Sequence, residues 1–147
     1  MARNDFKLWV SVPTRFRDLD TMKHVNSTVY FVYFEMARIA YFRDSGIGEF
    51  RTDGKRGIPV VSQTCNYRRQ VFHPSNLEVG IRCFEMGEKT VHLGYEVYLE
   101  GSDTLVADGT TTSAWVDLTI PKSIPLPEEL RSAIEAFEGA SLTQPLR

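Results

Sequence analysis

The stretch from Ser27 to Ser45 constrains the fold of this chain more than any other. It contains neither proline nor glycine. Asn26 or Ser27 can cap its start, and Gly46 stands where a left-handed residue ends many helices. The pattern predicts one long helix. Its apolar residues do not form a single stripe: Val29, Tyr30, Tyr33, Ala37, Ala40 and Tyr41 make one face, while Phe31, Val32, Phe34, Met36, Ile39 and Phe42 spread over the others. A surface helix carries a polar stripe, so a helix greasy nearly all round must be buried on several sides. Glu35, Arg38, Arg43 and Asp44 make it too charged to cross a membrane, and no run of about eighteen apolar residues occurs elsewhere. Something must wrap it.

The remaining segments have the period of strands. Phe6 to Pro13 alternates through Phe6, Leu8, Val10 and Val12. Past a charged, glycine-containing loop from Gly46 to Gly57, four more strand-like segments run over Ile58–Arg69, Leu77–Met86, Val91–Leu99 and Thr104–Val116. Gly87-Glu88-Lys89 and Gly101-Ser102-Asp103 are turns fit for antiparallel hairpins. The order β-α-β-β-β-β is an α+β pattern, and its physical solution is an antiparallel sheet curled around one central helix. A tail with Pro121, Pro125 and Pro127 leads into a short helix, Glu128 to Phe137, and residues 138–147 read as a loose end. The chain of 147 residues reads as a single domain over 1–147, long enough to bury roughly 70% of its unfolded surface without staples.

Charge and cysteine content narrow the function. Seventeen basic against nineteen acidic residues give no electrostatic case for nucleic acid or an anionic membrane as partner. Cys65 and Cys83 match no zinc spacing and read as buried thiols in a reducing compartment. Met1 to Leu8 carries Arg3, Asp5 and Lys7 and no apolar core of a signal peptide, so the expected location is cytoplasmic.

Just ahead of the helix, Arg15 to Asn26 packs Asp18, Asp20 and His24 into one polar segment. Three readings stand. The first is a solvated loop that caps the helix. The second is a metal site from Asp18, Asp20 and His24, for which no fourth ligand stands out. The third is catalytic: a carboxylate beside a helix whose first N–H groups point outward is half of an acyl-transfer site, since those groups can hold an oxyanion. Asp18-Leu19-Asp20-Thr21 also matches the Asp-x-Asp-x-Thr of phosphoryl-transfer aspartate enzymes. That motif ends an apolar strand of a parallel sheet, a context missing here.

The run Phe16-x-Asp18-x-Asp20-x-x-x-His24-Val25-Asn26-x-x-x-Tyr30-x-x-Tyr33-Phe34-Glu35-x-Ala37-Arg38 resembles the signature of the 4-hydroxybenzoyl-CoA thioesterase family, nearest its bacterial acyl-CoA thioesterases. The similarity continues through Tyr67, Trp115-Val116-Asp117, Lys122 and Leu126-Pro127. The resemblance implies the hotdog fold, hydrolysis of a CoA thioester, no metal or other cofactor, and homodimers or homotetramers with sites at subunit interfaces. It implies Asp20 as the catalytic carboxylate. Lys23 stands where many members have glycine, and Ser27 replaces a commoner asparagine.

A thioester is an activated acyl group whose thiolate leaves with a pKa of about 8–9, so it needs little general-acid help. Asp20 then serves as general base on water or as nucleophile through a mixed anhydride. The N–H groups of Asn26, Ser27 and Thr28 are the candidate oxyanion hole. Asp18 is expected to position the loop through Arg15 or Arg17, and His24 to bond to backbone. Glu35 reads as a buried carboxylate facing Arg38. It and His24 are reserve catalysts, Glu35 because some other hotdog thioesterases use a helical acid. Tyr30 and Tyr33 read as core. Arg68, Arg69 and Arg82 read as solvated arginines within reach of CoA phosphates. Two further functions stay open: a non-catalytic acyl-CoA-binding module, and a hotdog dehydratase, which would want its histidine on the helix rather than ahead of it.

Overall fold

A computed structural model describes residues 3–142. The main sheet is built from β1 (Leu8–Pro13), β3 (Val60–Tyr67), β4 (Asn76–Met86), β5 (Thr90–Leu99) and β6 (Leu105–Ala114), in the order β1-β4-β5-β6-β3. Every neighbouring pair is antiparallel. The long helix α1 (Val29–Asp44) lies against one face of it. A small second sheet joins β2 (Arg56–Gly57), β7 (Val116–Asp117) and β8 (Lys122–Ser123), and α2 (Glu128–Glu138) closes the described chain. This is the hotdog arrangement.

The alternation read from the sequence sets which side chains meet α1. Leu77, Val79, Ile81 and Cys83 of β4 and Val91, Leu93, Tyr95 and Val97 of β5 all point into one core and are fully or nearly fully buried. Phe34 stacks on Tyr95 with ring centroids 4.3 Å apart. It can do so because β6 carries Gly109 at the contact; a Cβ there would run into the Phe34 ring and the Thr64 carbonyl. Helix and sheet thus close to the distance a stacked ring needs.

One expectation fails on geometry. Helix α1 is covered on one side only: Tyr30, Tyr33, Phe34, Ala37, Arg38 and Tyr41 are buried, but Val32, Met36 and Ile39 are 44%, 40% and 60% exposed. Five strands spaced about 4.8 Å apart span roughly 24 Å, while encircling a helix at sheet-packing distance of ~10 Å would need about 60 Å. One copy of this sheet cannot sheathe the rod. Glu35 is exposed as well, and Arg38 turns inward to donate to the Tyr95 hydroxyl at 3.2 Å instead of facing Glu35. The helix start also differs. Thr28 holds the capping position, and Asn26 acts two residues earlier, its Oδ1 accepting from the Thr28 N–H and hydroxyl, both at 3.0 Å. Gly46 ends the helix at φ 89° as the sequence predicts.

The C-terminal segment is less loose than expected. Glu138 Oε2 accepts from the Tyr41 hydroxyl at 2.6 Å and the Cys83 N–H at 2.8 Å, and the Met86 N–H donates to the Leu142 carbonyl at 3.0 Å. Residues 138–142 are therefore docked on β4, and 143–147 lie outside the described residues. Cys83 is buried, but Cys65 is only half-buried, because β3 is an edge strand with most residues open to solvent. Both thiols are free.

Candidate active site

The segment from Thr14 to Thr28 is held by bonds that its own residues dictate. Phe16–Asp18 forms a short 3-10 turn that drives Asp18 inward, to 1% exposure. Its carboxylate accepts from the Arg15 N–H at 2.9 Å, the Arg15 guanidinium at 3.0 and 3.2 Å, and the Tyr33 hydroxyl at 2.8 Å. Burial alone would push this carboxyl up, but those donors and the Arg15 charge outweigh it and hold Asp18 below the usual carboxylate range. The Asp18 carbonyl also takes the Asn26 N–H at 2.8 Å. Asp18 thus staples the start of the loop to its end and to α1, and the partner is Arg15 rather than Arg17.

Within that staple, residues 20–24 form a tight turn. Asp20 N–H donates to the His24 carbonyl at 2.8 Å, and Asp20 Oδ1 accepts from the Met22 N–H at 2.8 Å and the His24 N–H at 3.2 Å. Its Oδ2 has no donor among the described residues. The turn closes only because Lys23 takes a φ of 65°, the one non-glycine residue at positive φ among those described. That is the region glycine enters freely and an L-residue enters at a cost of about 1–2 kcal/mol. The lysine read from the sequence therefore leaves a glycine-like turn with strain in it.

Asp20, His24, Asn26, Ser27, Tyr67 and Arg69 line a cavity of about 300 Å³, with Val25 and Tyr30 beneath. The His24 main chain bonds to Asp20 on both sides, but the expected bond of its ring to backbone is not made among the described residues; the ring packs edge-on against Phe72 at 4.7 Å. Of the three amides expected from the sequence, two are engaged: Asn26 with the Asp18 carbonyl and Thr28 with Asn26 Oδ1. The Ser27 N–H remains without an acceptor among the described residues, as does the Asn26 Nδ2 donor. Glu35 is not here; it borders a separate groove with Arg38, Ile58 and Val60. A third groove of about 520 Å³, between β1 and the exposed side of α1, has no acidic residue in its lining. No cluster of three or more His, Cys, Asp or Glu side chains suited to a metal occurs among the described residues.

Two contacts of the candidate site are not legible in the sequence. Tyr33 reads there as core, yet its hydroxyl feeds Asp18. Tyr67, on β3, donates to the Ser27 carbonyl at 2.6 Å. A tyrosine at an apolar helix position, or one in an alternating strand, looks the same whether its hydroxyl is used or idle, so no local signal could have found either. Of the three arginines, Arg68 pairs with Asp108 at 3.0 Å and Arg82 with Asp5 at 3.6 Å, while Arg69 has no acidic partner among the described residues.

An antiparallel sheet on a central helix thus brings one carboxylate, Asp20, into the same cavity as the helix start, where the Ser27 N–H has no acceptor among the described residues. Residues 14–134 match the model of the Thioesterase-like superfamily. The chain belongs to that superfamily and is a thioester hydrolase by that membership. It is 29% identical over 117 residues to the long-chain acyl-CoA thioesterase FadM of Escherichia coli (strain K12), covering 80% of this chain and 89% of that one. It is 31% identical over 94 residues to the uncharacterized protein YsmA of Bacillus subtilis (strain 168), where the match spans 63% of this chain and 62% of the relative. Among solved structures, a thioesterase of Thermus thermophilus complexed with coenzyme A and Zn superposes with a TM-score of 0.80 at 31% identity, covering 97% of this chain and 98% of that one.

Proposed function

We propose that this chain hydrolyses acyl-CoA to free acid and CoA, with Asp20 as the carboxylate that drives the reaction. One observation carries the reading. Asp20 has one oxygen fixed by two backbone N–H groups and the other without a donor among the described residues, in the same cavity as the Ser27 N–H and the Asn26 amide. A carboxylate held so rigidly is preorganised, which is what an acyl-transfer base or nucleophile requires. As base, Asp20 removes a proton from water while the water oxygen attacks the thioester carbon. As nucleophile, its oxygen attacks directly and water then cleaves the anhydride. In both courses the C–S bond breaks and CoA leaves as thiolate. The oxyanion formed on the way is met by the Ser27 N–H, with Asn26 Nδ2 as second donor.

The kinship with FadM and with the CoA-bound Thermus thioesterase supports a CoA ester as substrate, and the Phe16-to-Arg38 signature supports a place in the 4-hydroxybenzoyl-CoA thioesterase family, nearest its bacterial acyl-CoA thioesterases. Arg69, beside the cavity and without an acidic partner among the described residues, is suited to a CoA phosphate. The bare ridge of Val32, Met36 and Ile39 and the open edge of β3 support a homodimer or homotetramer, since a second copy would complete the cover that one sheet is too narrow to give.

The test is release of free thiol from a panel of acyl-CoAs. Wild type should turn over at least one of them, and Asp20→Asn should lose at least about 10²–10³ in kcat, the scale of a deleted oxyanion donor, with an unchanged fold. Full activity in Asp20→Asn would end the mechanism. Tight CoA-ester binding without turnover by wild type would replace it with the non-catalytic module.

A further inference from the structure

Tyr67 sits on the edge strand β3, 40 residues from the loop it touches, and its hydroxyl donates to the Ser27 carbonyl at 2.6 Å. That carbonyl belongs to the peptide whose N–H is Thr28, and the Thr28 N–H in turn donates to Asn26 Oδ1 at 3.0 Å. The Ser27–Thr28 peptide is therefore gripped at both ends. With Oδ1 occupied twice by Thr28, the Asn26 side chain is forced to turn Nδ2 outward. The same turn leaves the Ser27 N–H without an acceptor among the described residues. The Tyr67 ring is itself held, edge-on against buried Tyr30 at 5.3 Å.

We infer that Tyr67 is a positioning residue for the reaction: it clamps the Ser27–Thr28 peptide so that the Ser27 N–H and Asn26 Nδ2 keep their aim at the developing oxyanion. The inference rests on the proposed thioesterase reading. The hydroxyl hydrogen of Tyr67 is spent on Ser27, so the residue acts through the turn rather than on substrate. Donors of an oxyanion hole act only if they are aligned before the charge forms. A clamp of this kind therefore affects the transition state more than the bound substrate, and its loss lowers kcat with little change in KM.

Tyr67→Phe keeps the ring and its contact with Tyr30 and removes one oxygen. It is compared with wild type and Asp20→Asn on the same acyl-CoA panel, together with amide hydrogen exchange at Thr28. Tyr67→Phe should lose ~10- to 100-fold in kcat, the range of a small misplacement of catalytic groups. KM should stay within about twofold of wild type, and the shape of the pH–rate profile should not change, because the clamp takes no part in proton transfer. The Thr28 amide should exchange faster. An unchanged kcat overturns the inference, as does a loss carried wholly by KM, which would make Tyr67 a substrate contact. If Asp20→Asn is dead and Tyr67→Phe fully active, only the clamp is refuted. If Asp20→Asn is fully active, the Asp20 mechanism falls, and the kcat of Tyr67→Phe still decides the clamp. A wild type that hydrolyses none of the panel overturns both.

Discussion

Replacing Tyr33 by phenylalanine tests whether Asp18 holds the loop beneath the site. The change removes one donor from a carboxylate that is 1% exposed, at a bond length of 2.8 Å, and leaves the ring in place. A hydrogen bond to a charged group contributes about 1.5–3 kcal/mol. The Arg15 N–H and guanidinium still face Asp18 in the variant, so the carboxylate is not orphaned, and the lower half of that range applies: about 2 kcal/mol. For a chain of this size, that corresponds to a fall in Tm of roughly 4–8 °C, read by calorimetry at pH 7. The pH dependence carries a second signature. Asp18 is held below its ordinary value of 3.8, so its contribution is fully present above that pH and is lost as pH falls through the lower folded value. Without Tyr33, one lowering interaction is gone and that contribution shrinks. The gap in stability between wild type and Tyr33→Phe should be full at neutral pH and close below about pH 4. Equal Tm values at pH 7, or a gap that widens toward acid, would refute the reasoning.

Lys23→Gly should relieve the positive φ at the turn; the strain of about 1–2 kcal/mol exceeds the roughly 0.5–1 kcal/mol of extra chain entropy that glycine loses, so Tm should rise by a degree or more. A destabilised Lys23→Gly would show that the lysine side chain contributes more than its backbone costs. Cys83, whose thiol burial pushes up to about 12, should stay unlabelled by a thiol reagent at pH 8 in the native protein and react once the chain is denatured. Peptide mapping by mass spectrometry should find native labelling at Cys65 alone, and rapid labelling of Cys83 would contradict the packing of α2 over β4.

The sequence by itself determined the architecture and supplied the candidate address of the site. Period-2 segments, two glycine-containing hairpin turns and one proline-free greasy stretch allow little other than a curled antiparallel sheet on a helix, because local periodicity dictates which faces must be buried. Asp20 and the helix start are close together in the chain, and the Phe16-to-Arg38 pattern could be read as it stands. Three things were decided only by the tertiary structure. How much of α1 one chain can cover depends on the width of the sheet, which is why Val32, Met36 and Ile39 are bare and Glu35 looks outward. Which amides near the helix start are free depends on partners the strand of letters does not reveal, Asp18 for Asn26 and Asn26 for Thr28. The uses of the Tyr33 and Tyr67 hydroxyls depend on contacts 15 and 40 residues apart in sequence. Periodicity reports which face a side chain takes; it does not report where its last atom ends, and hydrogen bonds are made by last atoms.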